Sequence, residues 1–420
     1  MILDKCSSDF CVKIDLPTSK SLSNRWLVLN ACLDHKITLH NLSNAADTVL
    51  MQELLNKIHQ SITDCSSTML RDMKSANPVE IDCKNAGTVL RFLTAYCSVT
   101  PGKWLITGDE RLSIRPISDL VDALSNAGAE ISYINQCEQL PLLIVGKPEF
   151  SNSHIKLNMQ KSSQFASALM LMISKFSGGL QIDFEGEIIS KPYFEMTAKI
   201  LEQCGVEVKY SEKDMMLKGI PNPPTDIFIE SDWSAASYFY AFVALSENGI
   251  IEIENLHSES LQGDSIIAKW FEKFGVETIF TPQKTIIKKI KKPLITALEL
   301  DFTNYPDLAQ TMAVLCAALN IPAKLTGLSS LRNKETDRLQ ALSQELNQIN
   351  AKNIIEQNSL ILQKNDDELD FSKPIQTYDD HRMAMAFSIF SGLYNSVEIT
   401  DSKVVNKSFP NFWTELNQIK

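Results

Sequence analysis

Two kinds of helix-forming pattern alternate along the chain. Segments of the first kind are apolar on nearly every side, which predicts helices that are buried all round. They read "NRWLVLNACL", "GTVLRFLTAYCS", "QFASALMLMISKF", "AASYFYAFVAL", "LAQTMAVLCAALN" and "RMAMAFSIFSGL". Segments of the second kind are amphipathic and often end in glycine, as in "SDLVDALSNAGAEISYI" and "EMTAKILEQCGVEVKY". Strand-like runs such as "KWLITGDE" and "GIIEIENL" lie between them, so the pattern predicts an α/β protein.

The apolar segments recur at a regular spacing along the 420 residues. They begin, about 70 residues apart, near Ser19, Asn85, Ser162, Asp232, Pro306 and Asp379. A period this long, with a whole buried helix in each copy, predicts six copies of one αβ unit rather than a short-repeat solenoid. Two compact domains of three units each are the more economical packing for a chain of this length.

The starts of the apolar segments carry residues that favour helix N-termini. The candidate caps are Ser19 and Ser21, Asn85, Ser162 and Ser163, Asp232 and Ser234, Asp307, and Asp379. Lys20, Arg25, Arg91 and Arg382 also lie in the first turns, where the helix dipole disfavours each cation by about 0.3–1 kcal/mol. A negatively charged ligand would offset this repulsion, so the sequence predicts an anion-binding site at these helix starts.

More cations lie in connections that follow strands, where binding sites are usually built. They are Arg111 and Arg115 in "GDERLSIRP", Lys334 and Arg338 in "KETDR", and Lys407 in "VVNKSFP". Asp307 and Glu335, the carboxylates among them, are candidates for proton transfer. Each cation alone also fits a salt-bridged surface residue, and His381 in "YDDHR" also fits a packed side chain beside a helix cap. The repetition of the pattern favours a site for ligands with several anionic groups.

Charge and composition narrow the class of protein. A net charge of −11 disfavours binding to nucleic acid, which needs a basic surface. The sequence has neither a GxxxxGK[ST] loop nor a GxGxxG turn after a strand, which disfavours nucleotide-binding folds. We expect a cytoplasmic protein, because neither a signal-peptide pattern nor an apolar run long enough for a bilayer is present.

Cysteine and lysine patterns add two structural expectations. Nine cysteines without CxxC pairs or zinc-spaced histidines predict reduced thiols and no metal site. The stretch from Lys284 to Lys292 alternates lysine with isoleucine, which predicts a strand with a solvated face.

Ten motifs are spread over nearly the whole chain, and they include, in chain order, "SKSLSNR", "NAGTVLRFLTA", "SSQFASAL", "YPDLAQTMA", "KETDRLQA", "DDHRMAMAF" and "NKSFPNFW". Together, and in this order, they resemble the motifs of 5-enolpyruvylshikimate-3-phosphate synthases. The resemblance implies an inside-out α/β barrel of two domains, each with three repeated units, parallel helices inside and sheets outside. It places one domain at 1–16 plus 231–420 and an inserted domain at 17–230, with the active site in the cleft between them.

The family transfers the enolpyruvyl group of phosphoenolpyruvate to the 5-hydroxyl of shikimate 3-phosphate and releases phosphate, in the route to the aromatic amino acids. The resemblance implies that shikimate 3-phosphate is bound by Lys20, Ser21, Arg25, Ser162, Ser163, Gln164, Ser190, Tyr193, Asp307 and Lys334. It implies that phosphoenolpyruvate is bound by Lys20, Asn85, Gly87, Arg115, Gln164, Arg338, Arg382 and Lys407. No metal or cofactor is implied. Gly87 stands where the family's sensitivity to glyphosate is set.

The resemblance also implies an addition followed by an elimination, through a tetrahedral ketal that carries phosphate. Asp307 would take the proton of the 5-hydroxyl, and Glu335, together with Lys20, would transfer protons at the methylene carbon. How Glu335 and Lys20 divide that work stays open. Lys84, Thr18 and Ser330 depart from the family's usual residues, which puts ligand affinity rather than the reaction in question.

Two other functions stay open. The related UDP-N-acetylglucosamine enolpyruvyl transferases share the donor, but they carry a cysteine in a "GCAIG-RP" loop where this chain reads "DERLSIRP". A protein that binds anions without catalysis is disfavoured, because both candidate proton-transfer carboxylates and the expected cations are present. The expected partners are therefore small anionic substrates, and the expected oligomeric state is a monomer.

Overall fold

The computed structural model describes residues 1–33, 36–65, 77–135, 138–293 and 295–420. The described chain divides into two compact units. Unit 1 comprises Met1–Ser19, Ser43–Ala46 and Glu230–Lys420, and unit 2 comprises Lys20–Leu42 and Asp47–Ile229. Of the cysteines expected to be thiols, Cys137 lies outside the described residues.

Strands and helices alternate throughout both units, which confirms the α/β class. In chain order the strands are β1 Ile2–Leu3, β2 Asp9–Lys13, β3 Thr38–His40, β4 Val79–Asp82, β5 Gly102–Thr107, β6 Glu130–Tyr133, β7 Leu142–Gly146, β8 His154–Asn158, β9 Leu180–Glu185, β10 Glu207–Tyr210, β11 Asp214–Lys218, β12 Asp226–Phe228, β13 Asn248–Ile253, β14 Val276–Phe280, β15 Thr285–Lys289, β16 Leu298–Asp301, β17 Ala323–Thr326, β18 Asn353–Glu356, β19 Ser359–Leu362 and β20 Val397–Glu398.

The helices are α1 Lys20–Cys32, α2 Ala46–Cys65, α3 Gly87–Ser98, α4 Glu110–Ser113, α5 Ser118–Asn126, α6 Gln164–Leu171, α7 Lys191–Gln203, α8 Trp233–Leu245, α9 Ile267–Trp270, α10 Ala309–Ala318, α11 Arg338–Gln348, α12 His381–Ser388 and α13 Phe412–Leu416. Short 3-10 helices lie at Ile173–Lys175, Gly263–Ile266, Phe271–Phe274, Pro306–Leu308, Ser329–Asn333, Ile389–Gly392, Ser402–Lys407 and Asn417–Ile419. Within the described ranges, no helix is both long and apolar enough to cross a membrane.

Four four-stranded sheets in the described chain share one pattern of pairing, in which a parallel pair is followed by two antiparallel pairs. Unit 1 holds the sheets β2-β13-β15-β14 and β16-β17-β19-β18, and unit 2 holds β4-β5-β7-β6 and β8-β9-β11-β10. A parallel pair needs a crossover between its strands. In each sheet the second parallel strand follows a buried helix: α8, α10, α3 or α6. Two smaller sheets pair β1 with β20 and β3 with β12.

Three buried helices pack together in each unit, as the apolar segments predicted. In unit 1, α10 packs against α8 and α12, and in unit 2, α1, α3 and α6 contact one another. Every residue of α10 and α12 is buried. In the other four helices, apart from Leu27, the residues that are not buried all lie in the first two positions; they are Lys20, Ser21, Thr88, Gln164 and Ser234. The polar starts of α1, α3, α6 and α8 are therefore the accessible ends of those four helices.

The predicted caps form at some of these helix starts and fail at others. Asp232 caps α8, because its side chain accepts a hydrogen bond from the Ala235 amide at 3.0 Å. For α12 the prediction of Asp379 is wrong, since Asp380 is the cap and accepts from the Arg382 amide at 2.9 Å. The cap positions of α3, α6 and α10 are Ala86, Ser163 and Leu308, and none of these makes a side-chain capping bond. Asn85 and Asp307 are thus not caps.

The lysine-rich stretch forms a strand, but one of its lysines lies inside the protein. Lys288 of β15 is exposed as predicted, whereas Lys289 is buried. The Lys289 ammonium donates to the carbonyl oxygens of Ala244, in the last turn of α8, and of Phe274, at the end of a 3-10 helix. Burial lowers the pKa of Lys289 to about 8. Cations favour helix C-termini, which explains how a charged side chain occupies this position.

Candidate active site

Predicted cations and both predicted proton-transfer carboxylates meet in unit 1. We call this group the unit 1 cluster; it consists of Asp307, Lys334, Glu335, Arg338, Asp380, Arg382 and Lys407. Most of its members lie at helix starts. Asp307 lies in the 3-10 turn before α10, Arg338 is the first residue of α11, and Arg382 is the second residue of α12. Lys407 ends a 3-10 helix near the C-terminus.

Arg338 is the centre of the unit 1 cluster. Its Nε atom lies 2.6 Å from Asp380 Oδ2, its Nη1 atom 3.1 Å from Asp307 Oδ1, and its Nη2 atom 2.8 Å from Glu335 Oε2. The Arg338 and Asp380 side chains are 2% and 0% exposed. Burial works to lower the pKa of Arg338, but the carboxylates of Asp380, Glu335 and Asp307 outweigh it and raise the pKa.

Three of the four cations in the unit 1 cluster contact the carboxylate of Asp307. Arg382 Nη2 lies 2.8 Å from Oδ2, and Lys334 Nζ lies 3.9 Å from Oδ1, in addition to Arg338. Burial works to raise the pKa of Asp307, but Arg382, Lys334 and Arg338 together hold it well below its usual range. Asp307 is therefore an anion and a weak base while these cations contact it. A ligand with negative charges of its own would compete for them and strengthen the base.

Glu335 has a different environment from Asp307. Its two oxygens are divided between Arg338 and Lys407, whose Nζ atom lies 3.4 Å from Oε1. The Lys407 side chain is 8% exposed, so this ion pair is shielded from water. The structure thus brings together all six residues that the sequence predicted for this part of the site.

Two carboxylates of this region escaped prediction as site residues. Asp380 belongs to "YDDH", where the sequence pattern indicated a cap but not a partner for Arg338. Asp264 is buried, and its Oδ2 accepts a hydrogen bond from Ser234 Oγ at 2.5 Å. Burial raises the pKa of Asp264 to about 7, and the negative charge of Asp307 adds to the shift. No motif in the sequence marks Asp264, because its burial depends on α8.

In unit 2, Lys20 and Arg25 of α1 have contrasting partners. Lys20 Nζ pairs with Asp47 Oδ2 at 2.9 Å. Arg25 is 2% exposed and donates to Thr197 Oγ1 at 2.7 Å and to the Tyr193 carbonyl at 2.8 Å. Among the described residues no carboxylate bonds to Arg25, and burial lowers its pKa to about 10. A buried guanidinium held by neutral oxygens suits an anionic ligand.

Gly87 lets two guanidinium groups approach the start of α3. A Cβ atom on Gly87 would lie 2.7 Å from Arg115 Nη2 and 2.7 Å from Arg91 Nη1. Arg91 in turn donates to Gln164 Oε1 at 2.8 Å and to the Pro116 carbonyl at 3.1 Å. Arg91 was predicted as a cation at a helix start but not as a partner of Gln164. It joins Gln164 to the segment that carries Arg115.

The other predicted residues lie in turns at helix starts of unit 2. Ser162 Oγ accepts a hydrogen bond from the Gln164 amide at 3.2 Å, and Ser163 is the residue before α6. Ser190, before α7, has a φ of 54°, and Lys84, before Asn85, has a φ of 51°. Left-handed backbone at residues other than glycine is unfavourable and is often found at functional sites. Lys20 lies in unit 2, whereas Asp307 and Glu335 lie in unit 1.

The raised pKa of Asp264 predicts a pH-dependent stability. Its pKa of about 7 in the folded protein exceeds the ordinary value of 3.8, so the unfolded chain releases this proton first as pH rises. The contribution of Asp264 is complete below about pH 4 and decreases toward pH 7, by up to about 1.4 kcal/mol per pH unit. Asp264→Asn should remove this decrease.

Urea unfolding of the parent and Asp264→Asn at pH 4.5, 5.5 and 6.5 checks this prediction. The other titrating groups cancel in the difference between the two proteins. A difference in free energy of unfolding that stays constant across this range would contradict the assigned pKa.

Nearly the whole chain is similar to one family of proteins. Residues 7–416 match the family model of EPSP synthase (3-phosphoshikimate 1-carboxyvinyltransferase). The 3-phosphoshikimate 1-carboxyvinyltransferase of Bacteroides fragilis is 39% identical over 96% of this chain and 94% of its own, and that of Neisseria meningitidis serogroup B is 34% identical over 95% and 94%. An EPSP synthase structure from Acinetobacter baumannii shares the fold, with a TM-score of 0.73 at 19% identity over 100% of this chain and 98% of that one. The chain therefore belongs to the EPSP synthase family.

Proposed function

We propose that this protein transfers the enolpyruvyl group of phosphoenolpyruvate to the 5-hydroxyl of shikimate 3-phosphate and releases phosphate. Family membership supports this reaction. The observation that carries the proposal is the unit 1 cluster, in which Arg338, Arg382, Lys334 and Lys407 surround the carboxylates of Asp307 and Glu335. Both substrates are anions, and each charge-assisted hydrogen bond to them is worth about 1.5–3 kcal/mol.

Each substrate draws on residues of both units in this proposal. Phosphoenolpyruvate is bound by Arg338, Arg382 and Lys407 of unit 1 and by Lys20, Asn85, Gly87, Arg115 and Gln164 of unit 2. Shikimate 3-phosphate is bound by Lys20, Ser21, Arg25, Ser162, Ser163, Gln164, Ser190 and Tyr193 of unit 2, with Asp307 and Lys334 of unit 1. The burial of Arg25 without a carboxylate partner among the described residues supports its role.

The chemistry is an addition followed by an elimination. Asp307 accepts the proton of the 5-hydroxyl as that oxygen bonds to C2 of phosphoenolpyruvate, and Glu335 with Lys20 delivers a proton to the methylene carbon. The tetrahedral ketal then loses a proton from its new methyl group, and the C2–O bond to phosphate breaks. The cations stabilise the phosphate charge throughout, which is electrostatic preorganisation.

The finer architecture belongs to the same proposal. The chain forms an inside-out α/β barrel of six repeated units, with domains at 1–16 plus 231–420 and at 17–230 and the substrates in the cleft between them. The shared pairing of four sheets and the three packed buried helices in each unit support the repeat. A monomer in the cytoplasm completes the proposal, and thiols such as Cys83 and Cys316 fit a reducing compartment.

The role of Asp307 predicts a difference between two pH profiles. In the unliganded protein the pKa of Asp307 is far below its usual range, whereas bound anions should raise it by engaging Arg382, Lys334 and Arg338. The acid limb of kcat, which reports the substrate complex, should therefore lie at higher pH than the acid limb of kcat/KM. Steady-state phosphate release from pH 4.5 to 8 measures both limbs.

Two variants of Asp307 serve as controls for this profile. Asp307→Glu keeps a carboxylate and should keep the displaced limb, while Asp307→Asn should lose about 10²–10⁴ in kcat. Coincident acid limbs in the parent protein would contradict activation of Asp307 by its substrates.

The close approach at Gly87 predicts selective damage to phosphoenolpyruvate binding. In Gly87→Ala the new Cβ atom displaces the Arg115 and Arg91 guanidinium groups. The KM for phosphoenolpyruvate should rise about tenfold or more, as expected for loss of one charge-assisted hydrogen bond, and inhibition by glyphosate should weaken. The KM for shikimate 3-phosphate should change less than twofold.

Gly178→Ala is the matched control in unit 2, because a Cβ atom at Gly178 meets nothing within 4 Å. It should leave both KM values and the inhibition unchanged. Equal effects of the two substitutions, or an unchanged response to glyphosate in Gly87→Ala, would contradict the role of Gly87.

A phosphate-release assay with two acceptors tests the proposed function itself. The protein should release phosphate from phosphoenolpyruvate with shikimate 3-phosphate and not with UDP-N-acetylglucosamine, and Glu335→Gln should be inactive. Release with the sugar nucleotide alone would assign the related transferase activity. Release with neither acceptor would indicate a protein that binds anions without catalysis.

A further inference from the structure

Helix α11 contacts the segment before α12 at two points. Arg338 at the start of α11 bonds to Asp380, and Glu345, seven positions later, bonds to residues 376 and 378. Seven positions are close to two helical turns, so both side chains lie on the same face of α11. The second contact joins Glu345 Oε1 to the Tyr378 hydroxyl at 2.5 Å and Oε2 to the Gln376 amide at 2.9 Å.

The segment held in this way has a strained backbone. Tyr378 and Asp379 have φ values of 53° and 54°, so two successive residues other than glycine lie in the left-handed region. Such residues keep this conformation only where surrounding contacts impose it. They precede Asp380, whose Oδ1 accepts from the Arg382 amide and whose Oδ2 accepts from Arg338 Nε. The turn at 378–379 thus comes directly before the carboxylate that contacts both arginines.

The contact with Glu345 is suited to imposing this turn. Glu345 is 2% exposed, so the carboxylate end of this contact is shielded from water, whereas Tyr378 is 36% exposed. Burial and the nearby Glu345 carboxylate both raise the pKa of Tyr378, which keeps the phenol protonated as a donor. Tyr378 and Glu345 contact neither Asp307 nor Glu335 in the described hydrogen bonds, so they act on the cluster through the backbone.

We propose that Glu345 and Tyr378 are positioning residues for phosphoenolpyruvate: their hydrogen bond holds the left-handed turn at 378–379, which in turn orients Asp380, Arg338 and Arg382. This inference rests on the proposed function for the ligand that it names. It predicts a larger effect on phosphoenolpyruvate than on the acceptor, because Arg338 and Arg382 are assigned to phosphoenolpyruvate and reach the acceptor only through their contacts with Asp307.

Tyr378→Phe tests the inference, since it removes the hydroxyl and keeps the ring. The KM for phosphoenolpyruvate should rise at least fivefold, while the KM for shikimate 3-phosphate stays within twofold of the parent value. Glu345→Gln should have the same effect as Tyr378→Phe: the KM for phosphoenolpyruvate should rise, and the KM for shikimate 3-phosphate should stay nearly constant. An unchanged KM for phosphoenolpyruvate in folded Tyr378→Phe, or an equal rise in both KM values, would overturn the inference.

A glycine at position 379 should rescue the loss. Asp379 is exposed, and glycine adopts a φ near 54° without strain, so Asp379→Gly lowers the demand on the hydrogen bond. Tyr378→Phe combined with Asp379→Gly should return the KM for phosphoenolpyruvate to within threefold of the parent value. No rescue would show that the hydroxyl does not act through this turn.

Tyr240→Phe is the matched control in unit 1, because it removes a buried hydroxyl that bonds to Thr278 Oγ1 at 2.8 Å. It should lower stability without changing the KM for phosphoenolpyruvate. Amide hydrogen exchange of residues 376–382 adds a readout that needs no activity: it should accelerate in Tyr378→Phe and not in Tyr240→Phe. Unchanged exchange would overturn the inference, whereas absent phosphate release in the parent protein would overturn the proposed function alone.

Discussion

The guanidinium group of Arg338, shared by three carboxylates, is the interaction on which the unit 1 cluster depends. A buried guanidinium is tolerated when carboxylates satisfy both its charge and its donors, and Asp380, Asp307 and Glu335 do both. Three carboxylates around one cation would repel one another. Arg382, Lys334 and Lys407 balance them, and each of these cations contacts Asp307 or Glu335. The cluster therefore holds Asp307 as an anion, and it fixes the positions of both Asp307 and Glu335.

In unit 2, a buried guanidinium group is held by a different kind of partner. Arg25 is buried among hydroxyl and carbonyl oxygens, and no carboxylate bonds to it among the described residues. Neutral acceptors satisfy the donors of a guanidinium but leave its charge available to an anion. The cations of the unit 1 cluster thus contact carboxylates, whereas Arg25 of unit 2 is held by neutral oxygens. Lys20 of unit 2 differs from Arg25, because it pairs with the carboxylate of Asp47.

Backbone conformation sets the positions of these charges. Left-handed residues other than glycine precede three of the helices that carry site residues, at Lys84, Ser190, and Tyr378 with Asp379. Buried contacts from neighbouring elements must hold such turns, as Glu345 of α11 does for the turn before α12. The turn before α12 is therefore held by α11 as well as by its own helix.

The sequence by itself determined the α/β class, the buried helices and the accumulation of cations at their starts, because hydrophobic periodicity and helix-terminus chemistry are local properties. The carboxylates among the predicted cations, Asp307 and Glu335, were also recognisable from the sequence as candidates for proton transfer. Only the tertiary structure showed that Asp380 holds Arg338, that Arg91 bonds to Gln164, and that Asp264 and Lys289 are buried. Asp380 is 42 residues from Arg338 in the chain, and Asp264 is 30 residues from Ser234, the residue of α8 that it contacts. Local patterns cannot reveal them, because the packing of remote elements decides which charges meet and how far water is excluded from them.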